Sequence, residues 1–246
     1  MIELKNISKT ISDSFGNSKK IFQNISLIIE PAKITSVIAP LGSGKTTLLK
    51  IISGLDKETT GEISGMDDGK IMLIPSTPSS FPWLSVKENI LFASKGNVDI
   101  KYLIEFVGLE GYSDYYPDNR SIGFRFRISL ARALARDPVS ICIDEPFTRM
   151  DDLTKTELYS LIRKVPTRYK TSLLIATTNI TEALYLSDNI YLMGNEPAEI
   201  FHKMKVDLPE ERDNSILNSS RFISQRNEIE RLFKETDSKK ILHISI

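Results

Sequence analysis

The sequence predicts an α/β fold in which buried strands alternate with helices and a largely helical segment is inserted between two of the strands. Apolar runs at 34–38, 139–143 and 172–176 are typical of buried strands, and each is followed by a segment with helical periodicity. Residues from about 84 to 136 carry helical patterns and no strand pattern. With 246 residues the chain can bury a large core, and we expect one domain, 1–246, that contains this helical insert.

The remaining elements follow from alternation, apolar runs and turn residues. Strands are predicted at 2–7, 21–30, 33–39, 70–74, 139–143, 172–176 and 189–193, with a short hairpin arm at 61–65. Helices are predicted at 47–52, 86–94, 100–107, 122–136, 154–168 and 180–186. A C-terminal tail of about 198–246 adds an edge strand at 198–206 and an amphipathic helix at 221–233, and we find no functional motif in it.

Two connecting segments carry aromatic side chains whose role the pattern leaves open. Residues 12–19 form a turn-rich connection around Phe15, which either caps the edge of a sheet or stacks on a nucleotide base. Residues 75–83 contain three prolines, which exclude a helix or a central strand. Phe81 and Trp83 on this loop form either a docking surface or part of the core.

The composition excludes several classes of function. Lys and Arg (32) balance Asp and Glu (32), so no global field favours a polyanion, and we expect no nucleic-acid partner. The single cysteine, Cys142, provides neither a disulfide framework nor a thiol metal cluster, and it fits a reducing compartment. No apolar run approaches the roughly 18 residues that a bilayer span needs, and the N-terminus lacks a signal-peptide pattern. We therefore expect any membrane role to depend on a partner.

Residues 39–47 match a phosphate-binding loop, which requires a strand, a glycine-containing loop and a helix in that order. Such a loop turns its backbone N–H groups toward phosphate oxygens at the positive end of the following helix. Lys45 is expected to reach the β and γ phosphates, and Thr46 to bind Mg²⁺. Ala39 replaces the first glycine of the pattern. The predicted phosphate-binding residues are Pro40, Leu41, Gly42, Ser43, Gly44, Lys45, Thr46 and Thr47.

Two adjacent carboxylates, Asp144 and Glu145, follow the apolar strand 139–143. The carboxyl ends of strands in an open α/β sheet are where ligands bind. Asp144 is therefore expected to hold Mg²⁺ beside Thr46, and Glu145 to orient an attacking water.

Together with the phosphate loop, four further stretches make the chain resemble the nucleotide-binding subunits of ABC transporters, over nearly its whole length. Two of them resemble in particular the nitrate, sulfonate and taurine importer branch. The four stretches are 129–138 running into the carboxylate pair, 147–154, and the two branch-like stretches 81–89 and 176–184.

The resemblance implies a P-loop NTPase core with a mixed sheet, an antiparallel β subdomain and a helical subdomain. It implies ATP and Mg²⁺ as ligands, and a second ATP-binding subunit, identical or different, whose signature segment completes each nucleotide site. Ser121 and Gly123 align with this signature, Asp151 aligns with the aspartate of the D-loop, and Phe15 is assigned to adenine. It also implies two transmembrane permease subunits, one of which faces the Phe81–Trp83 loop, and a solute-binding protein. The chain is then expected to lie peripherally on the cytoplasmic face of the membrane.

Several positions depart from the family pattern, and three of them bear on hydrolysis. Ile122 replaces a signature glycine, Ser76 replaces a longer glutamine, and Thr178 replaces a histidine that touches the γ-phosphate. Threonine donates a hydrogen bond but carries no proton near neutral pH. Ser76 and Thr178 are still expected at the catalytic edge with Lys45 and Glu145, in a site that binds nucleotide better than it hydrolyses it.

The leading hypothesis is the ATP-binding subunit of an importer for a small anionic or heterocyclic solute. One alternative is a nucleotide-gated, non-hydrolytic partner of a competent paralogue, which the three departures favour. Another is a soluble ABC-type ATPase, which the sequence disfavours because it contains no long coiled-coil insertion and no second nucleotide domain.

Overall fold

A computed structural model describes residues 1–12, 16–65, 70–96, 98–118, 120–195 and 197–244. Phe15, the expected adenine contact, lies outside the described residues. Over the described part of the chain, two β-sheets and seven α-helices form.

The larger sheet supplies the α/β core. Its strands are β3 (Ile34–Ile38), β5 (Ile71–Ile74), β6 (Ser140–Asp144), β7 (Ser172–Thr177), β8 (Asn189–Met193) and β9 (Ile200–Lys205). They lie in the order β5-β6-β7-β3-β8-β9, and all pairs are parallel except that of β9 with β8. The predicted strands agree with these to within one or two residues at their ends, so the mixed sheet is confirmed.

The smaller sheet is antiparallel and contains β1 (Ile2–Ser12), β2 (Ser18–Ile29) and β4 (Thr60–Ser64), in the order β2-β1-β4. Two boundary predictions are wrong: β1 continues past residue 7, and β2 begins before residue 21. Their pairing extends to Ser12 opposite Ser18 through half-buried and exposed residues without apolar alternation, which sequence patterns do not reveal. The arm predicted at 61–65 is β4, and it pairs with β1.

The predicted helices form within a few residues of their expected ends, apart from a longer last helix. They are α1 (Lys45–Ile52), α2 (Val86–Ala93), α3 (Ile100–Phe106), α4 (Ile122–Leu134), α5 (Asp152–Tyr169), α6 (Ile180–Leu186) and α7 (Ser220–Ile244), with a 3₁₀ turn at Asn214–Asn218. The helical insert consists of α2, α3 and α4, which begin at the capping side chains of Ser85, Asp99 and Ser121. Ser85 and Glu88 form a reciprocal capping box.

Two apolar cores cover the two faces of the larger sheet. Val37 and Leu174 belong to the core that contains α1 and the antiparallel sheet, whereas Ile38 and Ile175 belong to the core that contains the helical insert, α5 and α6. Strands covered on both faces are continuously apolar, which is why the sequence shows runs instead of alternation. Because parallel strands end at the same edge, the loops after β3, β6 and β7 meet there.

The C-terminal end of α6 is fixed by two arginines. Arg163 Nη1 donates to the carbonyl oxygen of Leu186 at 2.8 Å. Arg212 Nη1 donates, at 2.7 to 3.0 Å, to the carbonyl oxygens of Leu184, Tyr185 and Ser187. These donors satisfy carbonyl groups that a helix end leaves unpaired, and they hold α6 in place under the site described next.

Candidate active site

The loop between β3 and α1 has the shape expected of a phosphate cradle. Gly44 precedes α1 with φ of 91°, and Gly42 has φ of 81°. A Cβ atom on Gly44 would lie 2.5 Å from Ile21 Cγ2, so both backbone conformation and space require glycine there. The helix begins at Lys45, two residues before the predicted start, which places the N–H groups of its first turn next to the loop.

Lys45 is the buried cation of this loop. Its Nζ donates to the carbonyl oxygens of Ala39 and Pro40, each at 3.0 Å, and lies 3.2 Å from Glu145 Oε1. All three partners are oxygen atoms near the loop. A phosphate oxygen with full negative charge can therefore replace neutral carbonyl partners at little cost in geometry.

Thr46 and Asp144 form the predicted metal pair. The Thr46 hydroxyl donates to Asp144 Oδ2 at 2.7 Å, and Asp144 is 4% exposed. Its other oxygen, Oδ1, is buried and has no hydrogen-bond partner among the described residues. Burial raises the pKa of the Asp144 carboxyl, against the hydrogen bond from Thr46. A hydroxyl and a carboxylate with an unpaired oxygen suit Mg²⁺, which prefers oxygen ligands and takes the rest from water and phosphate.

Glu145 is held between the phosphate loop and the end of β7. Its backbone has φ of 42°, a left-handed conformation that a non-glycine residue adopts only when its surroundings impose it. Its N–H donates to the carbonyl oxygen of Ala176 at 2.8 Å. Its Oε2 accepts from the N–H and the hydroxyl of Thr178, at 3.3 and 3.5 Å. Thr178, expected to face the γ-phosphate, thus contacts the carboxylate that is expected to orient water.

One cavity of about 350 Å³ brings together most of the predicted catalytic residues. Leu41, Ser76, Glu145 and Thr178 line it, together with Ile122 from the start of α4. The substituted positions 76, 122 and 178 therefore face one common space.

The predicted signature and D-loop residues form a separate group at the starts of α4 and α5. Ser121 Oγ accepts from Phe124 N at 3.2 Å, and Asp151 Oδ1 accepts from Thr154 N at 2.9 Å, so both side chains cap a helix. Gly123 is buried against Thr154. None of Ser121, Gly123 and Asp151 lines the cavity beside Glu145.

Sequence reasoning missed the residues that support Thr178. Thr177 is 1% exposed and Glu182 is 5% exposed, and the hydroxyl of Thr177 donates to Glu182 Oε2 at 3.0 Å. Burial raises the pKa of Glu182, against the Thr177 hydrogen bond and the positive charge of Lys155. The available signal was Asn179 three residues before Glu182, a spacing typical of a helix start.

The C-terminal helix also reaches this edge. Glu230, Phe233 and Lys234 of α7 line a cavity of about 400 Å³ together with Pro40 and Thr178. The helix continues well beyond its predicted end, and no motif in the tail indicated that it would lie near the phosphate loop.

The loop at 75–83 presents aromatic rings on the helical insert. Trp83 is 69% exposed and Phe92 of α2 is 71% exposed, which excludes a core position for these rings. Phe81 is half-buried between them, with ring centroids 5.4 and 5.0 Å away. The guanidinium of Arg132 lies 4.4 Å from the centroid of Phe81. We refer to Phe81, Trp83 and Phe92 as the aromatic face.

Among the helices in the described ranges, none is both long enough and apolar enough to cross a bilayer.

Comparisons with known proteins show to which family the chain belongs. The family model described as ABC transporter matches residues 22–148. The chain is 35% identical over 201 residues to the aliphatic sulfonates import ATP-binding protein SsuB 1 of Pseudomonas savastanoi pv. phaseolicola, covering 80% of this chain and 84% of that protein. It is 34% identical over 248 residues to an SsuB protein of Bacillus cereus, covering 95% of this chain and 96% of that protein.

The fold matches that of solved cassette structures. The post-hydrolysis dimer of the ATP-binding cassette MJ0796 bound to ADP and Pi superposes with a TM-score of 0.71 and 25% identity, covering 85% of this chain and all of that one. By its family match, its relatives and its fold, the chain belongs to the ABC transporter family as an ATP-binding cassette.

Proposed function

We propose that this cassette is the ATP-binding subunit of an importer, in which binding and hydrolysis of Mg-ATP drive uptake of a solute through partner membrane subunits. The observation that carries the proposal is the joining of Lys45, Glu145 and the Thr46–Asp144 pair at one edge of the sheet. The SsuB relatives are named for import of aliphatic sulfonates. A small anionic solute is therefore the substrate class that we assign first.

The mechanism follows from the groups at this edge. The N–H groups of residues 42–46 bind the phosphates, and Lys45 exchanges its carbonyl partners for phosphate oxygens. Thr46 and Asp144 would hold Mg²⁺, whose charge would stabilise the phosphoryl oxygens. Glu145 Oε1 then turns from Lys45 to the attacking water, while Thr178 keeps hold of Oε2.

The partners are assigned by position. A second ATP-binding subunit brings its own Ser121 and Gly123, or their counterparts, to the nucleotide held here, as the family resemblance implies. One of two permease subunits docks on the aromatic face, and a solute-binding protein delivers the solute. The cassette then lies peripherally on the cytoplasmic face of the membrane.

We further propose that hydrolysis is slower than in cassettes with an intact pattern. Ile122, Ser76 and Thr178 each remove a contact to the phosphate, the metal or the water. The loss of one such contact costs on the order of 10² to 10³ in rate, and losses within one unit do not simply add. The same residues favour the second candidate function, a nucleotide-gated partner that hydrolyses little.

Nucleotide binding and hydrolysis test the proposal. We expect the wild-type chain to bind Mg-ATP and Lys45→Ala to bind it at least about tenfold more weakly, because the phosphate loses its charge-assisted partner. Equal binding by both proteins would overturn the assignment of the site.

The ATPase rate of the assembled transporter separates the two candidates. We expect measurable turnover that Glu145→Gln abolishes and that Ile122→Gly raises. Undetectable turnover in both the wild type and Ile122→Gly, with intact nucleotide binding, would select the non-hydrolytic partner. Failure to assemble with any membrane subunit would select a soluble ATPase.

A further inference from the structure

In the turn between β7 and α6, three hydrogen bonds link three residues into a closed ring. The Thr177 hydroxyl donates to Glu182 Oε2 at 3.0 Å, and Asn179 N donates to the Thr177 hydroxyl oxygen at 3.0 Å. Glu182 N donates to Asn179 Oδ1 at 3.1 Å. We call these three residues the 177–182 ring. Thr178, which belongs to the same turn, lies between two members of the ring.

Two of the three ring residues are buried, whereas Asn179 and Thr178 are exposed. Thr177 and Glu182 are almost completely buried, whereas Thr178 is open to the cavity that contains Glu145. Packing therefore does little to fix Thr178 itself. The orientation of its N–H and hydroxyl groups, which both donate to Glu145 Oε2, depends on the two neighbours that the ring immobilises.

A helix cap alone does not account for the ring. Asn179 already caps α6 by accepting from Glu182 N. In a capping box, the carboxylate at the third helical position would accept from the N–H of the capping residue. Here the Asn179 N–H is taken by the Thr177 hydroxyl, and the Glu182 carboxylate turns to that same hydroxyl at the end of β7. Burying a carboxylate costs free energy, and the helix cap forms without this buried carboxylate.

We propose that Glu182 is a positioning residue for hydrolysis: through Thr177 it holds Thr178 so that Thr178 fixes Oε2 of Glu145 and leaves Oε1 to face the attacking water. The inference deepens the proposed function and rests on Glu145 orienting the attacking water. Thr178 has no titratable group near neutral pH, so its contribution is orientation, and orientation requires a rigid support.

The strand itself offers a matched control. Thr171 immediately precedes β7 and Thr177 ends it, and both are 1% exposed. The Thr171 hydroxyl donates to the carbonyl oxygen of Pro138 at 2.9 Å. Thr171→Val and Thr177→Val thus remove the same group from equally buried sites, but only the second opens the ring. Glu182→Gln keeps an acceptor for Thr177, and Glu182→Leu removes it.

The first measurement needs no nucleotide. Amide hydrogen exchange at residues 178 and 179 is followed by NMR in the folded, nucleotide-free chain. We expect exchange at Thr178 to accelerate at least about fivefold in Thr177→Val and Glu182→Leu, and to stay within about twofold of wild type in Glu182→Gln and Thr171→Val. Equal exchange at Thr178 in Thr177→Val and Thr171→Val would overturn the proposal.

The second measurement separates rate from affinity in the assembled transporter. Because a misplaced group costs rate more than binding, we expect Thr177→Val and Glu182→Leu to lower kcat by about tenfold or more and to change the Kd for Mg-ATP by less than about threefold. Glu182→Gln should restore most of kcat. Loss of kcat in Glu182→Gln equal to that in Glu182→Leu would overturn the role assigned to the hydrogen bond.

A third variant separates failure of this inference from failure of the proposed function. If Glu145→Gln abolishes turnover and the ring variants keep wild-type kcat, the ring does not position Glu145. If Glu145→Gln also keeps wild-type kcat, the role proposed for Glu145 is wrong and, with it, the positioning role that depends on it.

Discussion

The carboxyl group of Glu182 is an acid whose folded environment disfavours its charge. It is 5% exposed, and the groups that face it are the hydroxyls of Thr177 and Tyr159, the ammonium of Lys155 and, at longer range, the carboxylate of Glu145. Burial outweighs the favourable partners, so the pKa of Glu182 is raised above its ordinary value of 4.5.

This shift predicts a pH-dependent difference between wild type and Glu182→Gln. Between pH 4.5 and the raised pKa, the folded chain binds more protons at Glu182 than the unfolded chain does. The wild-type free energy of unfolding therefore falls as pH rises through this window, relative to the variant, which has no charge there. Urea unfolding of both proteins, from about pH 4 to about pH 8, measures the difference. A difference that stayed constant with pH would contradict the raised pKa.

Residue motifs predicted the charged groups of the site but not how those groups are oriented. Lys45, Thr46, Asp144 and Glu145 were found because their spacing follows a strand and a loop of recognisable composition. The contact between Thr178 and Glu145 joins residues 33 positions apart. It depends on the parallel pairing of β6 with β7, which a single sequence does not specify.

At the scale of elements, the close contact between α4 and α5 requires that residue 123 has no Cβ atom. A Cβ atom on Gly123 would lie 2.5 Å from Thr154 Cγ2. The Thr154 side chain cannot easily rotate away, because its hydroxyl donates to Asp151 Oδ2 at 2.7 Å and its N–H donates to Oδ1 at 2.9 Å. The glycine is needed here for close approach of two helices.

We therefore expect Gly123→Ala to lower the free energy of unfolding by about 1 to 3 kcal/mol, the usual cost of overpacking. Adding Thr154→Ser removes the clashing methyl group and keeps the hydroxyl that binds Asp151, so the double variant should recover most of this loss. Thr154→Ser alone serves as the control. Urea unfolding of the three variants gives the coupling energy, and simple additivity of the two single effects would contradict the packing argument.

Element types were predictable and some element lengths were not. The core strands were found because both of their faces are covered, which makes them apolar along their whole length. The outer parts of β1 and β2, up to Ser12 and Ser18, pair through backbone hydrogen bonds and show no apolar alternation. The last helix, α7, likewise extends past the amphipathic stretch 221–233. Backbone hydrogen bonds that extend a helix or a strand do not require a particular side-chain pattern, so the sequence does not show where the element ends.

At the scale of the whole molecule, the balance of charge limits how partners are recruited. The chain carries 32 basic and 32 acidic residues, so long-range attraction to a charged partner is weak. The aromatic face, by contrast, exposes large apolar rings on the helical insert, some distance along the chain from the phosphate loop. Exposed apolar clusters of this kind mark protein interaction sites. Docking on a permease is thus expected to depend on apolar contact more than on charge.

Trp83→Ala and Phe92→Ala test this expectation. Each removes a ring that is more than two thirds exposed, so the folded chain should lose little stability. Aromatic anchors at interfaces are commonly worth more than about 1 kcal/mol, so each variant should bind the permease subunits about tenfold more weakly while its Kd for Mg-ATP stays at the wild-type value.

Leu55→Ala is the matched control, because Leu55 is 68% exposed and follows α1, outside the aromatic face. The measurement is the affinity of each variant for the permease, in detergent or nanodiscs, at low and at high salt. Apolar docking predicts a large effect of the two ring variants, no effect of Leu55→Ala and a weak dependence on salt. If all three variants bound equally, or if salt alone abolished binding, the permease would have to dock on a different surface.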